Sequence, residues 1–427
     1  MLKPLTLLFL CLILCGLATA CGVDESERTE PLDDRTVLFE HVWNQVNERF
    51  HDPAFNGLDW SARYLHYRPL AARAASEAEL LDLLNLMLRE LNSSHCGVDT
   101  LAGIRSRVSP YVFAEGSVGL DVRIIEDAIV IKEVREGSSA DLAGLKPGFV
   151  IDRIEGRFLD DFKSTVTVRP PCNERNRRFH LTSEVLRALY GPADMAVSIR
   201  CLDGDDNPMT VNLQREARTD PVTLTPAIPP LFLETESRML DERIAYLRFN
   251  AFQPPGLEPV LEQLDELISA AGLVIDLRGN DGGSIEAMKH LLGRFVREPE
   301  LFGTYVSRHE HTPDTIVPEG RRFEGRIAVL VDEMSISGAE NMPGIMQLLD
   351  LAVVVGEQTP GQMLCGDFTV FGERFGLVLP TARLVYTDGR NLEGEGVIPD
   401  RSVPLDRASL LRGVDPQLQA AVACLSE

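Results

Sequence analysis

The first 70 residues after an apolar leader and a polar segment carry hydrophobic side chains at helical spacing. The segment VLFEHVWNQVNERF has apolar residues four positions apart, at Leu38, Val42, Val46 and Phe50. The segment SEAELLDLLNLMLREL repeats leucine every three or four residues, and Ser76 followed by Glu79 is typical of a capping box at a helix start. Small polar residues and a glycine end this pattern. We therefore predict a small helical bundle over residues 36–105.

Between residues 108 and 216 the pattern changes to short runs of β-branched and aliphatic residues. The runs VGLDVRII, AIVIKEV and AVSIRCL are separated by Gly, Asp and Pro, which are typical of strand boundaries. A short helix, a Lys-Pro-Gly turn and a further strand are predicted between the second and third runs. We predict a compact β-rich module, with a polar, arginine-rich insertion at about 158–185 and a proline-containing connector over 218–240.

From residue 241 onward, continuous apolar runs alternate with amphipathic segments. The predicted strands RIAYLRF, GLVIDL, RIAVLV and LAVVV are separated by predicted helices, the last of them from about Gly338 to Leu349. Such alternation predicts a parallel or mixed sheet covered by helices, and functional residues in these folds collect at the strand ends. The chain is thus predicted to be a multidomain α/β protein whose C-terminal core spans residues 217–427.

The first 35 residues have the features of an export signal followed by a flexible segment. Residues 1–20 contain one lysine, a long apolar run and small residues before Cys21, which is typical of a signal peptide. The sequence LATAC resembles a bacterial lipoprotein signal, in which the cysteine is lipidated, although Ala18 stands where leucine is usual. Ordinary cleavage near Ala20 without lipid is the alternative. Residues 21–35 are acidic and polar, and we predict a tether.

Composition narrows the classes of function. The 427 residues are 44% hydrophobic and 25% charged, as expected for a globular protein of two or three domains. The formal net charge of −23 excludes nucleic-acid binding, because that affinity comes largely from neutralising phosphate charge. The cysteines show no CxxC spacing and no histidine cluster, which argues against a zinc site, and no other feature of the sequence implies a metal or a cofactor. The pairs Cys172 with Cys201 and Cys96 with Cys365 are possible disulfides, which the sequence does not assign.

Two short segments at predicted strand ends carry candidate chemistry. In DLRGNDGG, over residues 276–283, the adjacent Gly282 and Gly283 can turn backbone N–H groups toward a cleft, as an oxyanion hole requires. A simple tight turn is the alternative. In VDEMSISGAEN, Ser335 and Ser337 lie at a strand-to-helix turn, where a serine hydroxyl can be exposed beside the next N–H group. Helix capping by either serine is the alternative there.

Taken together and in this order, these segments resemble the tail-specific, or C-terminal processing, serine peptidases. The likeness covers nearly the whole chain after the leader. It implies that Ser337 is the nucleophile, with Ser335 as the fallback. It also implies that Gly338, together with Gly282 or Gly283, supplies the oxyanion donors.

The same resemblance implies a PDZ-like domain at residues 108–216 and a crotonase-like α/β catalytic core after it. The segment VGLDV takes the place of the PDZ carboxylate-binding loop, so that Gly119 and Leu120 would bind a peptide added as a strand. Alternatively, the module only braces the bundle against the core. Asp121 would lie close to a bound carboxylate, which argues against strict recognition of a carboxyl terminus.

One position departs from the bacterial processing peptidases. In that family the general base is a lysine 25 residues after the nucleophile, in a TxGKG segment, whereas TPGQ places Gln362 there in this chain. A neutral amide does not accept a proton at useful pH, and none of the five lysines follows Lys289. A Ser-Lys dyad supplied from this segment is therefore excluded.

A histidine is then the expected base, because its pKa lies near 7. His95, in NSSH, resembles the Ser-His pair of the tricorn-protease core and its retinoid-binding-protein-like relatives. In that branch a serine beside the histidine and a late glutamate complete the set, which implies Ser94 and Glu393 here, with Glu395 as the close competitor. Without these motifs, His95 would be interpreted as a partner of a helix C-terminus.

The sequence therefore predicts an exported serine endopeptidase that cleaves peptides or the unfolded or tail segments of proteins. Lipid on Cys21 would anchor it to a membrane of the cell envelope, in a bacterial periplasm. The alternative is a catalytically inactive pseudopeptidase that binds a peptide or a small ligand, since Gln362 replaces one familiar catalytic group. The presence of both Ser337 and His95 favours the enzyme.

Overall fold

The computed structural model describes residues 35–107, 109–223 and 230–426. The predicted signal peptide, Cys21 and nearly all of the predicted tether lie outside the described residues. Within the described ranges, no helix combines the length and the apolar character needed to cross a membrane. The five cysteines in these ranges are free thiols, so neither of the two possible disulfide pairs is formed.

The N-terminal part is helical, as the apolar spacing predicts. Its helices are α1 (Arg35–Arg49), α2 (Trp60–Ala71) and α3 (Glu77–Arg89). Ser76 caps α3, because its hydroxyl accepts a hydrogen bond from the Glu79 amide at 3.2 Å. The chain continues through β1 (Gly97–Thr100), α4 (Leu101–Arg107) and α5 (Pro110–Phe113). The helices share one apolar core with Phe375, Leu377 and Leu379 of the C-terminal part, which fixes the bundle on that part.

The central module is built on an antiparallel sheet. Its strands are β2 (Gly116–Ser117), β3 (Leu120–Ile125), β4 (Ala128–Val134), β5 (Val150–Ile154), β6 (Ala196–Leu202), β7 (Pro208–Gln214) and β8 (Glu216–Ala217). The five longer strands lie in the order β3-β4-β5-β6-β7, all antiparallel, and β2 pairs with β8. Strand β3 is therefore an edge of the larger sheet.

The predicted insertion at 158–185 is instead largely helical. The module contains α6 (Ser139–Leu142), α7 (Leu159–Thr165) and α8 (Glu174–Leu189). Helix α8 begins at the cap residue Asn173, whose side chain accepts the Asn176 amide at 2.7 Å. Its buried Leu181, Val185 and Leu186 pack into the core of the module. Of the arginines on this helix, Arg177 is exposed, whereas Arg175 and Arg178 contact the C-terminal part.

The C-terminal part contains the remaining elements. Its strands are β9 (Thr235–Met239), β10 (Ile244–Phe249), β11 (Gly272–Asp276), β12 (Glu300–Ser307), β13 (His311–Ile316), β14 (Arg326–Val331), β15 (Val353–Gly356), β16 (Cys365–Phe371), β17 (Phe375–Tyr386) and β18 (Arg401–Ser402). Its helices are α9 (Leu257–Glu266), α10 (Ile285–Leu292), α11 (Gly338–Leu348), α12 (Arg407–Leu411) and α13 (Pro416–Ser426).

Two sheets organise this part. The first has the order β18-β15-β14-β11-β10-β9, and its neighbours are parallel except for the edge strand β9. Helices α9, α10 and α11 pack on one face and α13 on the other, which confirms the predicted sheet covered by helices. Strand β9 corrects the prediction that the whole of 218–240 is a connector.

The second sheet was not predicted. It has the order β1-β17-β12-β13, with β16 also paired to the long strand β17. Because β1 pairs with β17, the segment that leaves the helical bundle is hydrogen-bonded into the C-terminal part. This pairing brings the end of the bundle next to the carboxyl ends of the parallel strands.

Candidate active site

The turn between β14 and α11 presents Ser337 at the wall of a cleft. Ser337 immediately precedes α11 and has φ 57° and ψ −116°, a backbone conformation that residues with a Cβ rarely adopt. Its amide donates a hydrogen bond to the Gln362 carbonyl at 3.0 Å. Its side chain is half-buried. Such a sharp strand-to-helix turn exposes a hydroxyl beside the first amide of the helix.

The neighbouring Ser335 has a different environment. It is fully buried, its hydroxyl donates to the Leu277 carbonyl at 2.8 Å, and the same oxygen accepts the Asp332 amide at 3.1 Å. These contacts brace the turn from inside. The structure thus brings Ser337 to the cleft and keeps Ser335 in the core.

The glycine pair lies directly against the start of α11. A Cβ on Gly282 would lie 2.5 Å from the Gly338 amide nitrogen, so only glycine allows this approach. The Gly282 amide donates to the Asn280 side chain at 2.8 Å and is therefore occupied. The amides of Gly283 and Gly338 have no acceptor among the described residues. Two free N–H groups thus lie beside Ser337, the arrangement that an oxyanion hole needs.

Asn280 holds the two loops together, a role that the sequence analysis missed. Its side-chain amide donates to the Phe249 carbonyl at 2.8 Å, and its own carbonyl accepts the Ile336 amide at 3.2 Å. The residue is fully buried. Its place inside the DLRGNDGG segment is the only sequence signal for this role.

His95 faces the same cleft from the segment that leaves the helical bundle. Its Nδ1 lies 2.9 Å from the Ser94 hydroxyl, and its backbone has a positive φ of 52°. Its Nε2 has no partner among the described residues. Gly366 lies beneath the ring, since a Cβ there would be 3.1 Å from the His95 Cβ. Burial lowers the pKa of His95 to about 4, which keeps the imidazole neutral at pH 7.

Glu393 anchors this pair from the opposite side. Its carboxylate accepts the Ser94 hydroxyl at 3.0 Å and the Ser94 amide at 2.9 Å. It also accepts the Met363 amide at 2.8 Å. Burial raises the pKa of Glu393, and these donors oppose the rise. Glu395 is exposed, and its carbonyl, rather than its carboxylate, contacts Arg175 at 2.9 Å.

A second buried carboxylate, Glu340, holds the loop that carries Gln362. It accepts the Gly361 amide and the Gln362 amide, both at 2.7 Å, and a short hydrogen bond from the Thr359 hydroxyl. Burial raises the pKa of Glu340 to about 7. The Gln362 side chain donates to Asn176 of α8 at 2.7 Å. The sequence analysis assigned no role to Glu340, which lies one helical turn after Ser337.

Gly119 and Leu120 lie at the start of the edge strand β3, apart from Ser337. The Gly119 amide donates to the Ser117 hydroxyl at 3.0 Å, and its carbonyl accepts the Arg135 amide at 2.8 Å. A Cβ on Gly119 would lie 2.2 Å from Ser138, so this turn also requires glycine. Leu120 is buried. The Gly119 amide is therefore already occupied.

Asp121 is buried, and its negative charge is compensated by neighbouring cations rather than exposed to a peptide. Arg123 donates to it at 2.6 Å and Lys132 at 3.1 Å, and these cations hold its pKa far below the usual range against the opposing effect of burial. Arg123 also binds Asp332 at 2.7 Å, in the turn that precedes Ser337. A buried ion network thus ties β3 to the turn that carries Ser337.

One cavity of about 600 Å³ receives residues from all three parts of the chain. It is lined by His95 from the exit of the bundle, His180 from α8, and Gly282, Gly283, Ser337 and Gln362 from the C-terminal part. Among the described residues, no group of three or more His, Cys, Asp and Glu side chains could hold a metal ion. The cleft therefore offers a hydroxyl, a neutral imidazole and free backbone amides, which are the parts needed for acyl transfer.

Comparison with known proteins agrees with this chemistry. Residues 243–403 match peptidase family S41, and residues 31–89 match the tricorn protease C1 domain. A carboxyl-terminal-processing protease of Synechocystis sp. is 25% identical over 408 residues, which cover 91% of this chain and 86% of that protein. Tricorn protease homolog 1 of Streptomyces coelicolor is 23% identical over 93% of this chain and 35% of its own length.

Solved structures show the same fold. The photosystem II D1 C-terminal processing protease covers 93% of this chain and 98% of its own, with a TM-score of 0.56 and 21% identity. Mature CPAF complexed with lactacystin covers 92% of this chain and 97% of its own, with a TM-score of 0.60 and 13% identity. The predicted resemblance is confirmed: residues 243–403 form a peptidase family S41 domain, and the chain is a serine-type peptidase.

Proposed function

We propose that this chain is a serine endopeptidase in which Ser337 is the nucleophile and His95 the general base. The observation that carries the proposal is the hydrogen-bonded series from Glu393 through Ser94 to His95, with the imidazole facing the cavity that Ser337 also lines. An imidazole held by one nitrogen presents the other to a substrate or a nucleophile. The strained turn at Ser337 supports its role independently of the histidine.

The reaction follows from these positions. Ser337 Oγ attacks the peptide carbonyl carbon while His95 Nε2 takes the hydroxyl proton. The imidazolium then gives this proton to the leaving amine as the C–N bond breaks, which leaves an acyl ester on Ser337. Water attacks the ester, again with His95 as the base, and releases the new carboxyl terminus.

The developing oxyanion would be held by the Gly338 and Gly283 amides. Both are free of acceptors among the described residues, whereas the Gly282 amide is bound to Asn280. We therefore assign Gly283 rather than Gly282 as the second donor, with Gly282 required for close approach. Each such donor is typically worth about 2.7 to 4 kcal/mol of transition-state stabilisation.

We also propose an architecture for the central and C-terminal parts and a location for the chain in the cell envelope. We assign the central module as PDZ-like and the C-terminal part as a crotonase-like core, with Gly119 and Leu120 at the edge where a peptide strand could add. The relatives named for carboxyl-terminal processing support protein tails as substrates. The apolar leader supports export into the cell envelope, with lipid on Cys21 as the anchor.

Fluorophosphonate labelling tests the proposal directly. We expect the purified full-length chain to react with the probe at Ser337, with the adduct located by mass spectrometry, and to digest an unfolded protein. The physical reason is that a serine next to a neutral base and two free amides attacks phosphonate as it attacks a carbonyl. A folded protein that neither labels nor cleaves, but still binds peptides, would establish the pseudopeptidase instead.

Changing the residues that position His95 should lower kcat more than it changes KM. Glu393→Gln and Ser94→Ala are each expected to lower kcat by about 100-fold or more, because they loosen the imidazole without removing it. Ser94→Thr keeps the hydroxyl and should restore most of the activity. The measurement is steady-state hydrolysis of a peptide together with a thermal melt.

Glu395→Gln provides the matched control for Glu393. This exposed residue lies two positions later in the same loop, and its loss should leave kcat unchanged. If Glu395→Gln lowers kcat and Glu393→Gln does not, the orienting glutamate has been misassigned.

A further inference from the structure

A buried carboxylate in the wall of the cleft takes no part in the mechanism above. Asp281 directly precedes the glycine pair, and only about 9% of it is exposed. It lines the same cavity as Ser337 and His95. No described residue makes a hydrogen bond of normal geometry to either carboxylate oxygen, and the Ser109 hydroxyl is the neighbouring donor that acts on its pKa. Most buried polar side-chain atoms have such a partner, so an unpaired buried carboxylate calls for an explanation.

The position of Asp281 is held by the backbone. Its amide donates to the Asn250 carbonyl at 3.0 Å, and the Asn250 side chain donates to the carbonyls of Tyr111 at 3.0 Å and Phe232 at 2.9 Å. Four separate segments therefore meet at this point. These contacts fix the backbone at Asp281 in the wall of the cleft.

The surroundings of Asp281 suit the side chain of a lysine or an arginine. Val112, Leu231 and Ala251 line the same cavity and belong to one apolar cluster, which could pack against an aliphatic stem. Burial raises the pKa of Asp281 to about 7, with smaller opposing effects from Ser109, Arg187 and Arg218. A ligand cation would stabilise the charged carboxylate that burial disfavours.

We propose that Asp281 forms a substrate subsite that accepts a cationic side chain, lysine or arginine, within one or two residues of the scissile bond. This inference rests on the proposed peptidase function, because the subsite is located by its distance along the loop from the oxyanion donor Gly283. The carboxylate accepts charge-assisted hydrogen bonds from the ammonium or guanidinium group. The methylene groups of the substrate side chain pack against the apolar wall.

Matched peptides test the subsite. Cleavage positions are first mapped on an unfolded protein, and peptide pairs are then made that differ only by lysine or norleucine near the scissile bond. We expect the wild type to prefer lysine by about tenfold or more in kcat/KM, and Asp281→Asn to reduce this preference to about threefold or less. The preference is calculated in each protein as the ratio of the two kcat/KM values, and fluorophosphonate labelling verifies that Ser337 still reacts.

Glu286→Gln is the matched charge control. This exposed residue lies five positions later, on α10, and its loss removes the same charge from outside the cleft. It should leave the lysine preference intact. An unchanged preference in Asp281→Asn would overturn the subsite, and so would an equal loss of lysine and norleucine hydrolysis together with labelling, which would indicate a role in holding the oxyanion loop.

A binding measurement tests the subsite independently of the peptidase reaction. If the wild type neither labels nor cleaves, the proposed function fails, and binding of the same two peptides is measured by fluorescence anisotropy. A lysine preference in Kd that Asp281→Asn removes would support the cationic subsite in a binding protein. Equal Kd values for the two peptides would overturn it.

Discussion

Ser337→Ala should reduce peptide hydrolysis by roughly 10⁴- to 10⁶-fold in kcat and abolish fluorophosphonate labelling. We expect this loss because no neighbouring group can replace the Ser337 hydroxyl as the nucleophile. Peptide binding should change little, because the Ser337 hydroxyl has no hydrogen-bond partner among the described residues, and the hydrogen bonds of its backbone amide and carbonyl do not involve the side chain. The measurements are kcat and KM for one peptide, probe incorporation, and a thermal melt that verifies folding.

Ser335→Ala is the control that the chain itself provides. Both serines lie in the same turn, but the Ser335 hydroxyl is buried and bonded to the Leu277 carbonyl and the Asp332 amide. Its loss leaves the Asp332 amide unpaired, whereas the Leu277 carbonyl keeps the Asn280 amide at 3.1 Å. It should lower the free energy of unfolding by about 1 to 3 kcal/mol while labelling at Ser337 persists. Hydrolysis and labelling that survive in Ser337→Ala but vanish in a folded Ser335→Ala would reverse the assignment.

The contrast between these two serines shows how far the sequence could predict the site. The strand ends, the glycine pair and the serine turn are local features, so their residues could be found from spacing alone. Which serine hydroxyl reaches the cleft depends on one backbone torsion, the positive φ of Ser337, and sequence spacing does not determine it. Family resemblance supplied that choice, and the geometry is consistent with it.

The same limit applies to the fold. The parallel sheet could be predicted because its central strands β11 and β14 are buried on both faces and are therefore apolar along nearly their whole length. The second sheet could not, because β17 pairs with β1 across more than 270 positions, and such pairing leaves no local pattern. That unpredicted pairing is what brings His95 to the cleft.

Helix α8 was missed by the sequence prediction for a different reason. Its arginines suggested a polar insertion, although the Asn173 cap and the spacing of Leu181, Val185 and Leu189 were available signals. Asp281 and Glu340 had no such signal. A carboxylate in a loop or in the first turn of a helix is normally solvated, and only tertiary packing removes these two from water.

His95→Ala should lower kcat by about 10⁴-fold or more and slow fluorophosphonate labelling to the rate of an ordinary serine. The loss is large because Gln362 replaces the family lysine and its side chain is engaged by Asn176, so no other base is supplied from that loop. His180→Ala is the matched control, since His180 lines the same cavity and burial lowers its pKa to about 3. We expect this variant to keep most of its activity, because no serine-glutamate pair orients His180.

The pH dependence of kcat/KM offers a second test of His95. Activity requires the neutral imidazole, and burial lowers its pKa to about 4, so activity should persist as the pH falls through 6.5 and decline only near pH 4. Glu393 also titrates on the acid side, because burial raises its pKa. The same decline near pH 4 in Glu393→Gln would assign it to His95, since that variant has no carboxyl group to protonate at this position. A decline centred near pH 6.5 in the wild type would contradict the lowered pKa of His95.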